Sequence, residues 1–144
     1  MYSTGKFGAS SYERIGIESS VLGASPHELI ALLFAGARRA VRMSRMHMQS
    51  GNVAEKGKLI SHAIMLIGGG LQQGLNLEKG GELARRLDGL YEYMKRRLLE
   101  ANLRNDPALL DEVDNLLGTI EEGWIGIQNQ VTGAASPARV STAG

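Results

Sequence analysis

The sequence predicts an all-α fold, an antiparallel four-helix bundle. Three observations lead there: apolar residues recur at helical spacing in four separate stretches, several of those stretches open on helix-capping signatures, and β-sandwich markers are scarce, with Phe 2, Trp 1 and Pro 3. A length of 144 residues suits one domain, since a single core commonly serves roughly 100 to 200 residues.

Residues 1–24 are rich in Ser, Gly and other small residues, with isolated apolar anchors that include Tyr12, Ile15 and Ile17. They read as an N-terminal arm or a short extra helix. Ser25-Pro26-His27-Glu28 then supplies a cap, a proline at the first helical position and a capping-box glutamate, so a helix starts here. Placed at about 100° per residue, Leu29 through Met43 put apolar side chains around nearly half of this helix, while Arg38, Arg42 and Arg45 occupy the remainder.

Ser50-Gly51-Asn52 breaks the pattern, and Asn52 followed by Glu55 predicts a second capped helix running to about Leu75. Its interior glycines, Gly57, Gly68, Gly69, Gly70 and Gly74, each cost about 1 kcal/mol relative to alanine, and predict a kink near Gly69. After a connection over 76–81, Leu83, Leu87, Leu90, Tyr91, Met94, Leu98 and Ala101 form the narrow stripe of a third helix ending near Asn102. Asp106-Pro107 opens a fourth, whose stripe runs from Leu109 to Ile127 and is expected to bury Trp124 among Val113, Leu117 and Ile120. Its early acids Asp111, Glu112 and Asp114 complement the helix dipole. Beyond Asn129 the sequence is small, polar and aperiodic, which predicts a disordered tail over 129–144, leaving 25–128 as the bundle domain.

Composition narrows the function. No apolar run approaches the roughly 20 residues of a membrane span, and the N-terminus has no signal-peptide pattern, so no membrane insertion and a cytoplasmic location are expected. Cys 0 excludes thiolate chemistry, and a formal charge of +1 argues against a dedicated nucleic-acid binder. Gly68 to Gly70 lack the lysine and the preceding strand of a phosphate-binding loop. His27, His47 and His62 carry no metal-ligand spacing and are expected at surface or cap-adjacent positions, and no nucleophile and base can be assembled from spacing. The expectation is a protein without catalytic residues, metal or cofactor. A histidine phosphotransfer bundle using His62, and a self-associating structural bundle, are the alternatives that the residues leave open.

The apolar bands of the first two helices are wider than the stripe of about 100° that a bundle helix needs. The surplus fits either cover by the arm or a second copy, or a groove for a partner's amphipathic helices. The row Ile60, Ile64, Ile67, Leu71 and Leu75, joined by Leu83, Leu87 and Tyr91, is the candidate groove, and its members also suit the core.

Tyr12, Ser25-Pro26-His27-Glu28-Leu29-Ile30 and Leu33-Phe34-Ala35-Gly36-Ala37 resemble the N-terminal half of the flagellar secretion chaperone family FliS. Gly80-Gly81-Glu82-Leu83-Ala84 and the block from Leu90-Tyr91 through Tyr93-Met94, Arg97-Leu98 and Ala101-Asn102 resemble its C-terminal half, with Asp111-Glu112-Val113 and Trp124 following in order. The chain departs from the family pattern at Phe34-Ala35, usually Tyr-Asp, and at Asn76, usually Asp. The resemblance implies a cytosolic chaperone, needing no cofactor, that binds the C-terminal segment of flagellin, stops premature polymerisation and presents the cargo to the flagellar export apparatus. Regulatory or co-chaperone proteins are further expected partners. Tyr12, Ile15 and Ile17 are expected to dock the arm on the bundle, either as a plug that flagellin displaces or as a permanent part of the fold.

Overall fold

Ser25 begins the first helix through a reciprocal cap. Its hydroxyl accepts from the Glu28 amide at 3.2 Å, and the Glu28 carboxylate accepts from the Ser25 amide at 2.7 Å. The second bond holds the Glu28 carboxyl below its ordinary value. Helix α1 (Pro26–Ser50) runs from this cap to Gly51, whose φ of 78° is the left-handed conformation that favours glycine. The computed structural model describes residues 23–134, with side chains up to residue 127.

Helix α2 (Val53–Met65) starts where the sequence places it, but Asn52 makes no side-chain cap. The turn is so tight that the Asn52 amide already bonds the His47 carbonyl at 2.9 Å, and its side-chain nitrogen lies 3.1 Å from His47 Nδ1. Past Met65, in the stretch where a kink was expected, the helix passes into a π-helical segment, Leu66–Gln72, with the Gln73 amide reaching back to the Gly68 carbonyl. The wide turn coincides with the three consecutive glycines, where the α-conformation is least favoured. Gly70 also admits a close approach, since a Cβ there would stand 2.7 Å from Leu33 Cδ2.

Helix α3 (Gly81–Arg104) ends at Asn105, a non-glycine residue at φ 54°. Helix α4 (Pro107–Ala134) is capped by Asp106, whose carboxylate accepts from the Ala108 amide at 3.0 Å. The fourth helix therefore continues past Asn129, where a disordered tail was expected to begin. Its period runs on through Val131, and the next proline is Pro137. Residues 1–22 and 135–144, which hold most of the arm and of the expected tail, lie outside the described residues.

Each helix packs on its two neighbours in the cyclic order α1, α2, α3, α4. Antiparallel register follows from the side chains: Gly70 meets Leu33 and Gly36 meets Leu66, Gln72 reaches Asp88 whereas Lys56 reaches Asn102, and Arg45 pairs with Asp111 whereas Arg38 reaches Glu121. The core runs along the axis through Leu33, Phe34 and Val41, then Ile60, Leu66 and Ile67, Met94 and Leu98, and Leu110, Val113 and Leu117. Ser44 is buried and satisfied, its hydroxyl donating to the Val41 carbonyl at 2.7 Å.

Candidate partner-binding surface

The structure brings the sequence-predicted row together at different depths. Ile60, Ile67, Leu71 and Tyr91 are buried within the core, Ile64, Leu75 and Leu87 are half-buried against it, and Leu83 is 64% exposed. The row thus has a buried floor, half-open walls and one exposed rim residue. Burial pushes the Tyr91 phenol up to about 12, so it is neutral at physiological pH. Tyr12, Ile15 and Ile17 lie outside the described residues.

Sequence reasoning did not assign Leu90, Leu116 and Ile120 to this surface. All three are half-buried against the same core. Tyr93 and Arg97 on α3 both bond Glu112 on α4, which fixes the antiparallel register of that pair. Two turns back along α3 from Arg97 stands Leu90, while one and two turns forward along α4 from Glu112 stand Leu116 and Ile120. Leu83, Leu87 and Leu90 therefore share an apolar seam with Leu116 and Ile120. Their periodicity is visible in the sequence, but which stripe edges remain half-open depends on helix order.

Trp124 is half-buried at the end of the bundle, not deep in the stripe as expected. Its ring stacks on His27 at 4.8 Å between centroids, and its Nε1 donates to the His27 carbonyl at 3.1 Å. Val113 lies eleven residues away, about 16 Å along the helix, too far for the packing that the stripe suggested. His27 Nδ1 is buried without a hydrogen-bond partner among the described residues.

Polar groups frame the bundle. Arg38 donates to Asp114 at 2.8 Å and to Glu121 at 2.9 Å, Arg42 also reaches Asp114, and Arg45 reaches Asp111. The arginines on the polar side of α1 thus tie it to α4, and Asp114 is the main cause of the raised Arg38 pKa. Between α3 and α4, the Tyr93 hydroxyl donates to Glu112 and thereby holds the Glu112 carboxyl below its ordinary value, with Arg97 adding to the effect. Gln72 joins the π-helical segment to α3 through Asp88 and Glu92 at 3.0 and 2.9 Å. Lys56 is buried, donating to the Asn102 carbonyl at 3.1 Å and the Asn105 side chain at 2.9 Å, where its charge opposes the negative end of α3.

The histidines are scattered. His27 and His47 stand in the first and last turns of α1, and His62 lines a shallow depression on α2 with Gly57, Lys58, Ser61 and Met65. Among the described residues no three His, Asp or Glu side chains cluster as a metal site requires, and no helix is long and apolar enough to cross a membrane.

A four-helix bundle with a half-open apolar seam is the class of helical protein whose surface suits an amphipathic partner segment. Comparison with known proteins makes this specific: the family described as "Flagellar protein FliS" matches residues 8–131. The chain belongs to the FliS family. It is 49% identical over 117 residues to the flagellar secretion chaperone FliS of Salmonella typhimurium, covering 81% of this chain and 87% of that protein. It is 48% identical over 118 residues to the flagellar secretion chaperone FliSB of Pseudomonas aeruginosa, covering 82% and 93%. The Escherichia coli flagellar secretion chaperone FliS is 42% identical over 117 residues, covering 81% of this chain and 86% of its own length.

Proposed function

We propose that this protein is a cytoplasmic export chaperone that holds the C-terminal segment of flagellin, prevents its premature polymerisation and delivers it to the flagellar export apparatus. Family membership supports the chaperone role, and the observation that carries the binding reading is the half-open apolar seam of α3 and α4. Its walls are Leu87, Leu90, Leu116 and Ile120, with Leu83 at the rim. A partner's apolar helix face gains contact there without the bundle having to unfold. Ile64 and Leu75 extend the surface toward α2, while Ile60, Ile67, Leu71 and Tyr91 support it from below. Ordering an extended segment absorbs several kcal/mol of contact energy, which keeps the complex releasable. The arm residues Tyr12, Ile15 and Ile17 cover part of this surface until flagellin displaces them.

Calorimetry with the cognate flagellin, intact and lacking its C-terminal segment, tests the reading. Binding only to the intact form is expected, and Leu83→Lys should weaken it about tenfold while changing stability by less than about 0.5 kcal/mol, because the residue is exposed. Equal affinity for both flagellins, or a stable dimer of this chain with no flagellin affinity, overturns the proposal. Hydrogen exchange near Tyr12 should rise on complex formation, and unchanged exchange there removes the plug.

A further inference from the structure

The geometry points to the middle stretch of α4, residues 118–127, as a releasable strap over the first turns of α1, whose lifting opens a second apolar slot for the cargo segment. This rests on the chaperone reading.

The strap is held at two places. Toward its start, Glu121 accepts from Arg38 at 2.9 Å. Toward its end, Trp124 stacks on His27 and donates to its backbone carbonyl at 3.1 Å. Between those anchors, α1 carries Phe34 one turn from Arg38, and Ile30 one turn further toward His27, its Cδ1 within 3.9 Å of where a Gly74 Cβ would stand. Phe34 is among the largest fully buried side chains, and Ile30 is half-buried against the core. Lifting the strap would expose the α4-facing side of α1 around Phe34, apolar surface on which an amphipathic helix can dock.

Two independent features weaken this stretch of the helix. Gly123 and Gly126 flank Trp124, and a Cβ built on either meets nothing within 4 Å. Packing therefore does not require glycine at these positions, unlike Gly70 beneath Leu33. Each still lowers helix stability relative to alanine. The latch is also imperfect, because His27 Nδ1, on the ring that Trp124 stacks on, is buried without a partner among the described residues. An unsatisfied buried polar atom favours the open state. A helix that is locally weak, held by an aromatic latch with an unsatisfied atom, opens before the rest of the bundle.

The test uses the full chain in two arms. In the isolated protein, hydrogen exchange should be faster over 118–127 than over 107–117, and Gly123→Ala with Gly126→Ala should slow it about 25-fold in the strap alone, at about fivefold per glycine. His27→Phe keeps a ring on Trp124 and removes the unsatisfied nitrogen, so it should also slow strap exchange. Trp124→Phe removes the indole donor and should speed it. In the second arm, association with flagellin should slow by several-fold in the alanine pair and accelerate in Trp124→Phe. Gly89→Ala on α3, where a Cβ also meets nothing within 4 Å, controls for general stabilisation and should leave association unchanged. Uniform exchange along α4, or strap exchange indifferent to the alanine pair, overturns the strap. Slowed exchange with unchanged association overturns its role in admitting cargo. Absence of any flagellin binding by the wild type overturns the chaperone reading and the cargo role together, and the exchange arm still decides whether the strap opens.

Discussion

Gly118→Ala should change sign with the residue at position 38. Glycine within a helix costs about 1 kcal/mol relative to alanine, so the substitution alone ought to stabilise α4. Yet the Arg38 guanidinium lies across the helix at this point, and a Cβ on residue 118 would stand 2.9 Å from Arg38 Cζ. Arg38 cannot move freely, being held by Asp114 and Glu121. The three side chains are 22%, 17% and 18% exposed, so solvent screens the pairs only in part. Hydrogen bonds between such charged groups contribute about 1.5 to 3 kcal/mol, and distorting both should outweigh the gain in propensity. In the wild-type background we therefore expect Gly118→Ala to destabilise by about 1 kcal/mol. With Arg38→Ala the obstruction is gone, and the same substitution should stabilise by about 1 kcal/mol. Urea denaturation of the four proteins gives the coupling directly, about 2 kcal/mol between residues on different helices. Stabilisation by about 1 kcal/mol in both backgrounds would show that Arg38 yields without loss, and the argument that Gly118 exists to seat it would fail.

Glu112 supplies a pH test. Its carboxyl is held below the ordinary 4.5, first by the Tyr93 hydroxyl and then by Arg97. A depressed folded-state pKa gives stability that is complete above the unfolded value and lost as pH falls through the folded one. Tyr93→Phe should therefore flatten the loss of stability below about pH 4.5, and urea midpoints showing the same acid slope in both proteins would contradict this. Lys56→Met keeps most of the apolar stem but removes the two bonds at the end of α3, so a loss of about 2 kcal/mol is expected in thermal or urea melts. A loss under about 0.5 kcal/mol would mean that water replaces the ammonium at no cost. Ile67→Ala, in the buried floor, should cost about 2 to 5 kcal/mol by the same measurement, and a value below about 1 kcal/mol would move it out of the core.

The helices were legible because their signals are local. Ser25 with Glu28, and Asp106 with Pro107, state a helix start within four residues, and the structure makes both caps. The three-glycine run marked the weak point of the second helix, and the π-helical turn is found there. What was not legible depends on neighbours. Arg38, Arg42 and Arg45 look like a solvated face until α4 brings Asp111, Asp114 and Glu121 beside them. Lys56 looks like an ordinary surface lysine until the end of α3 arrives over it. Trp124 was misplaced for a related reason: periodicity gives the side of α4 on which it stands, but not that the bundle is ending at that height.

The division of the seam into floor and rim has a consequence for how binding and stability must be linked. Ile67 and Tyr91 are core residues, so their truncation loosens the walls and lowers affinity through stability. Leu83 touches little in the free protein, so its replacement can act only on the complex. Leu87, Leu90, Leu116 and Ile120 lie between these limits, and each should lose stability and affinity together. A ligand that binds only the folded bundle adds stability as its concentration rises above Kd, by about 2.7 kcal/mol at a hundredfold excess. Flagellin should thus rescue the melting temperature of floor variants more than that of Leu83→Lys, because the floor variants keep the rim contact and the rim variant has lost it. Equal rescue of both kinds would place the binding surface away from α3 and α4.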